Sequence, residues 1–200
     1  MVFDGIIISV IVGLFRRGNL NGLATLKLKC GWIFPILLLI QIAVTSLQGD
    51  IEFIGQIGGY LYIAVYIIGF VFLYINRNLP GLILILIGVF LNFLVMSVNG
   101  GRMPVSAEAA AAIDPMYVEV FKAAITETEY AKHILLTESS RLKFLADIIP
   151  LTKPYPITQI ISIGDVVMNI GIFNFVQHLM LANKRNKETE SESTTLKEVS

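Results

Sequence analysis

Charge is what this sequence has least of. Only 15% of its 200 residues are Asp, Glu, Lys or Arg, against about 25% in ordinary soluble domains. Basic and acidic residues cancel at fifteen each, which removes the broad positive field that nucleic-acid binding draws on. Cysteine is nearly absent. Cys30 stands alone and cannot close an intramolecular disulfide, and the two histidines, His133 and His178, offer no His-x-x-x-His spacing for zinc. No Walker A, Rossmann, Gly-x-Ser-x-Gly or His-Glu-x-x-His pattern occurs. The expectation is therefore no metal, no cofactor, no nucleic-acid partner and no assignable catalytic residue.

Apolar sequence is abundant instead, at 55% of residues with a mean hydropathy of +0.74. It is gathered into blocks over residues 2–15, 31–47, 57–75, 79–98 and 163–182, near the roughly 20 residues that cross a hydrocarbon core. This predicts an all-α integral membrane bundle of five transmembrane helices, four within residues 1–98 and the fifth within 160–182. The first block, at about 21 Å of helix, is short enough to be an interfacial segment. A signal peptide suits it less well, because Asp4 precedes the apolar stretch and Arg16-Arg17 follows it. Asn78 and Pro80 read as the start of the fourth helix, Asn99-Gly100-Gly101 as its end, and Ser162-Ile163-Gly164-Asp165 as a capping box for the fifth.

Lysine and arginine in short loops set orientation. Arg16, Arg17, Lys27 and Lys29 lie between the first two helices, Arg77 between the third and fourth, and Lys184, Arg185 and Lys187 after the fifth, while the loop between the second and third has only Asp50 and Glu52. The bias predicts an N-terminus outside, a cytoplasmic C-terminus and a polar, disordered cytoplasmic tail over 183–200. It also puts the long insert, residues 99–159, on the extracytoplasmic side.

That insert is too long to lack structure of its own. Ser106 heads a short alanine-rich helix. Asp114-Pro115 opens an amphipathic one, with Tyr117, Val120, Phe121, Ala124 and Ile125 at helical spacing. A third starts near Ser139 and carries Leu142, Leu145 and Ile149 until Pro150. Three prolines, Pro150, Pro154 and Pro156, make the return to the fifth helix extended.

Arg102, Asp147 and Asp165 are the candidate ligand-binding groups, all expected at the outer mouth, where a guanidinium and two carboxylates can bind a charged ligand or act as an acid and base. Asn169, one turn after Asp165, and Asn99, two turns after Asn92, join them as polar lining. Each also has a structural role open to it: Arg102 on phospholipid headgroups, Asp165 as a cap, Asp147 paired with Arg102, the amides as bridges between helices. Gln177 and His178 are expected near headgroups, and Cys30 as a buried, inert thiol. Gly55-x-x-x-Gly59 matches the small-residue pattern of helix dimers, which leaves a homo-oligomer open.

The run Asn99–Val105, the segment from His133 to Thr137 leading to Arg141-Leu142, the stretch Leu145–Leu151 and the run Ser162–Val166 resemble a bacterial membrane family, domain of unknown function 5317. The likeness spans about residues 1–182, with the Arg16-Arg17-Gly18 turn and the Asn78-Leu79-Pro80-Gly81 turn. It implies a bacterial cell membrane location and brings no activity. The leading expectation is a non-enzymatic membrane module that binds lipids, a small ligand or a membrane protein partner. The alternatives are a membrane enzyme acting on a lipid-linked or envelope substrate through Asp147, Asp165 and Arg102, and a small transporter, which the lack of an inverted repeat disfavours.

Overall fold

The computed structural model describes residues 2–24, 26–113, 132–155 and 157–182. It is mostly helical, and the apolar blocks become α1 (Val2–Phe15), α3 (Ile33–Leu47), α4 (Glu52–Ile75), α5 (Leu82–Ser97) and α7 (Ile163–Met180), with a single turn of helix, α2 (Asn21–Ala24), after α1. The expected amphipathic helix from Asp114 and the tail 183–200 lie outside the described residues. Among those residues, only α4 is both long and apolar enough to qualify alone as a membrane span; α1, α3 and α5 are shorter apolar helices. α7 reaches 18 residues but carries Asp165, Asn169, Asn174, Gln177 and His178.

The helices pack in the row α1, α7, α5, α4, α3. Polar contacts and glycines fix their directions. Gly5 of α1 abuts Asn169 and Gly13 abuts Met180, so α1 and α7 run parallel, whereas Gly81 meets Gly171 and Gly88 meets Gly164, so α5 runs against α7. Gln177 cross-links α1 and α7, donating to the Ser9 carbonyl at 2.6 Å and accepting from Arg16 Nη1 at 3.0 Å. It is buried against α1 and not set out toward headgroups as expected. Between α3 and α4, the buried Tyr62 hydroxyl donates to Gln48 Oε1 at 3.0 Å and lies 3.1 Å from Thr45 Oγ1.

The start of α5 and the exposure of Cys30 differ from expectation. The fourth long helix starts at Leu82 after Gly81, whose φ of 87° halts the chain, so Asn78 and Pro80 belong to the preceding turn and no side chain caps the helix. Cys30 is exposed, at a φ of 55°. The expected end of α5 holds: Gly100 and Gly101 take φ values of 70° and 79°, and the Gly101 amide reaches back to the Met96 carbonyl at 2.8 Å. Gly59 packs against that same Gly100-Gly101 turn within the chain.

The insert is only partly helical. α6 (Ala107–Ile113) forms where the alanine run predicts it, with Ser106 Oγ accepting from the Ala109 amide at 3.1 Å. The expected third helix is absent: Leu142 adopts φ 53°, a 3₁₀ turn covers Lys143–Leu145, and Ile149 and Pro150 lie in a strand. The β-branched pair Ile148-Ile149 before a proline favours extended chain over helix. β1 (Met103–Val105) pairs in parallel with β2 (His133–Leu135), and β3 (Ile149–Leu151) pairs antiparallel with β4 (Gln159–Ile161). Asp147 joins the two pairs, its amide donating to the Pro104 carbonyl at 3.0 Å and its carbonyl accepting from the Ser106 amide at 2.9 Å. Beneath this cap sits a core of Val44, Tyr62, Val95, Met96, Met103 and Leu145.

At Gly88 an added Cβ would meet backbone of α7, the Gly164 carbonyl and the Met168 amide, which cannot swing aside. Gly88→Ala is therefore expected to cost about 1–3 kcal/mol or more, seen as a lower thermal midpoint for the purified protein. An unchanged midpoint would show that α5 and α7 do not approach this closely.

Candidate functional site

The insert leaves α5 and returns to α7, and a buried polar network joins those two points. Asn92 Nδ2 donates to Asp165 Oδ1 at 2.8 Å, while Asn92 Oδ1 accepts from Ser162 Oγ at 2.8 Å. The capping box predicted from sequence is present: the Asp165 amide donates to Ser162 Oγ at 3.0 Å and the Ser162 amide donates to Asp165 Oδ2 at 3.0 Å. Both oxygens of the Asp165 carboxylate are thus engaged in holding the fold. Asn99 is structural too, donating from Nδ2 to the carbonyls of Val95 and Arg141 and accepting the Arg141 amide at 3.0 Å. Asn169 donates to the Asp165 carbonyl at 2.9 Å, and its Oδ1, buried against Gly5, has no hydrogen-bond partner among the described residues.

Asp147 differs from Asp165 and Asn99. It is 6% exposed, and its Oδ1 has no hydrogen-bond partner among the described residues. Its Oδ2 lies 3.8 Å from His133 Nε2, beyond hydrogen-bonding distance. Burial, reinforced by repulsion from Asp165 and only partly offset by Lys132, pushes the Asp147 carboxyl up to about 8. At neutral pH it is therefore mainly a neutral acid with a proton to donate. Lys132 is its cationic neighbour; desolvation holds that ammonium below its usual range against the attraction of Asp147 and Asp165. The Lys132 ammonium lies 5.9 Å from the centre of the Tyr62 ring, and Arg102 acts electrostatically on the same tyrosine. Tyr66 of α4 lies in the electrostatic field of both carboxylates. His133 is the solvent-facing member, with a side chain 44% exposed; partial burial and the Lys132 charge hold its imidazole below the usual range, so it is neutral at pH 7.

The structure thus brings Asp147 and Asp165 into one electrostatic cluster, assigns Asp165 and Asn99 to structural bonds, and adds Lys132, His133 and Tyr66. No periodicity marks these three. The available signal was the pair Lys132-His133 directly ahead of the apolar triplet Ile134-Leu135-Leu136, the start of a strand. Among the described residues, no group of three His, Cys, Asp or Glu side chains is placed to hold a metal ion.

Fold and site together define a mostly helical protein whose apolar helices carry a strand-braced cap over a buried acid. The chain belongs to the family of unknown function DUF5317, whose model matches residues 25–177. Over 106 residues, 53% of the chain, it is 39% identical to an uncharacterized protein of Thermotoga maritima, and the match spans 56% of that protein's length. No solved structure matches the chain.

Because the folded state keeps the Asp147 proton to about pH 8 while an unfolded aspartate loses it near 4, the folded chain binds more protons throughout that window. Stability therefore falls as pH rises across it, at up to about 1.4 kcal/mol per pH unit, and levels off above it. Asp147→Asn should remove this component, leaving the variant less pH-sensitive than wild type and more stable at pH 8. Unfolding measured from pH 5 to 9 on both proteins tests this; parallel curves would mean that Asp147 is not a buried neutral acid.

Proposed function

We propose that this chain is a five-span bacterial membrane protein that binds a small ligand non-covalently beside Asp147, under its extracytoplasmic cap, without catalysing a reaction. The observation that carries this reading is the contrast between the two carboxylates: Asp165 has both oxygens bonded within the fold, and Asp147 is sealed with an oxygen unpartnered. An acid/base pair for hydrolysis needs two carboxyl groups free to meet a substrate in an open cleft. Here one of the two, Asp165, is committed to holding the fold. A buried acid with one oxygen unpartnered among the described residues is instead a preformed group that a ligand can satisfy, reached from the side of the half-exposed His133.

Membrane insertion is supported by apolar surface that water would not tolerate in such amounts. Phe15, Phe53, Tyr60, Leu39 and Trp32 all have more than half of their surface exposed on the helices or at their ends. Helices of 14 to 18 residues can span by local thinning of the bilayer and by their interfacial flanks. Charge supports the orientation. Asp4, Asp50 and Glu52 lie at the end of the row that bears the cap, and Arg16, Arg17, Lys27, Lys29 and Arg77 at the other.

Topology is testable with the native thiol. Cys30 is exposed at the basic end, so an impermeant maleimide should label it only after intact cells are permeabilised. In a Cys30→Ala background, Glu138→Cys, at a fully exposed position of the cap, should be labelled in intact cells. The reverse pattern would invert the protein. For the ligand, mass spectrometry of lipids and metabolites that copurify with wild type and with Asp147→Leu should show a species lost in the variant. Asp147 is the better position than Asp165, whose loss would also break the cap. Identical spectra would remove the binding reading.

A further inference from the structure

We propose that the basic end of the helix row is a binding surface for acidic phospholipid, which takes an anionic headgroup between the linker residues Lys27 and Lys29 and the α4–α5 turn. This inference rests on the membrane reading above but not on the Asp147 site. The clamp that builds it is Asn76, a buried amide at the end of α4. Its Oδ1 accepts from the Lys29 amide at 2.9 Å, and its Nδ2 donates to the Lys29 carbonyl at 3.0 Å and to the Phe72 carbonyl at 2.9 Å. The linker before α3 is thereby pinned to the end of α4, one residue from Arg77. The Arg77 guanidinium is itself ordered, 4.1 Å from the centre of the Tyr74 ring and bonded to the Tyr74 carbonyl at 2.9 Å. On the far side, the Asn19 amide donates to the Met180 carbonyl at 3.0 Å, which sets the end of α1, with Arg16 and Arg17, at the same level.

All five cations are exposed, and the acids among the described residues lie at the other end or in the cap. Part of this charge complements helix dipoles, since α1, α4 and α7 present carbonyl ends here. Lys27 and Lys29 are not explained that way, because they lie in the linker between α2 and α3 and not in a last helical turn. At the same end of the helix row Trp32, three residues after Lys29, is 65% exposed, and Phe15, next to Arg16 at the end of α1, is 84% exposed. A cationic rim together with exposed aromatic and apolar side chains matches a molecule with an anionic head and hydrocarbon tails. An acidic protein segment would match the rim alone. A zwitterionic lipid would match the apolar part without using the charge.

The test uses full-length protein in detergent, mixed with equal amounts of phosphatidylglycerol and phosphatidylcholine of identical chains, and native mass spectrometry to count retained lipids. Wild type should retain phosphatidylglycerol preferentially. Lys27→Gln with Lys29→Gln should lower that preference by about fivefold per charge removed, whereas the arginine pair at the same positions should keep it. The Asn76 clamp binds the backbone of residue 29, so these substitutions leave it intact. Equal retention of the two lipids by wild type, or a preference untouched by the glutamine pair, would overturn the proposal, as would displacement of the lipid by a polyglutamate peptide at low ionic strength. Because micelles have no sidedness, an inverted result in the cysteine labelling would leave this readout separate.

Discussion

One amide side chain decides the geometry on which the rest depends. Asn92 donates to Asp165 and accepts from Ser162, which fixes the end of α5 to the start of α7 across the close Gly88–Gly164 approach. These are the two points between which the cap is strung. Holding them together removes part of the entropic cost of ordering so long a connection, and the second cross-link, Asn99 with the backbone of Arg141, draws the middle of the insert onto the same corner. Gln159 and Tyr155 then tie its returning arm to Asp4 at the head of α1. Substituting Asn92 would leave a buried hydroxyl and carboxylate short of partners, a loss of the kind that costs about 1–3 kcal/mol per group.

Among these bonded groups Asp147, like Asn169 at its Oδ1, is notable for what it lacks. Its backbone is fully used, bridging the strand pairs through Pro104 and Ser106. Its carboxyl Oδ1 has no hydrogen-bond partner among the described residues, and a buried polar group left so works against stability. Local rules are broken in this way chiefly at sites that do something other than hold the fold. Lys132 near the Tyr62 ring, the neutral His133 on the solvent side and the bonded carboxylate of Asp165 complete the cluster around the Asp147 proton.

The helices were legible because their apolar blocks are long and their ends are marked by turn chemistry, and the Ser162–Asp165 capping box could be read residue by residue. Two kinds of information were not. Leu142, Leu145 and Ile149 fall at helical spacing, yet the positive φ of Leu142 and the strand pairing of Ile149 with Ile161 depend on partners distant in sequence, which periodicity does not encode. The site was half legible for the same reason. Asp147 and Asp165 were identifiable as carboxylates near helix and insert boundaries, but which of them was free depended on Asn92 reaching across from α5. Asn76 gave no local signal, since it acquires its role from a segment more than a dozen residues away.

The account turns on Asp147 being a protonated, enclosed acid at neutral pH. Infrared difference spectroscopy across a pH titration of the purified protein tests this directly, with Asp147→Asn as the reference that assigns the band. The carbonyl stretch of a protonated carboxyl should persist through pH 7, disappear with a midpoint near 8, and be missing from the variant. A wild-type protein whose carboxyl bands have all vanished by about pH 5, with no difference from the variant above it, would contradict the account.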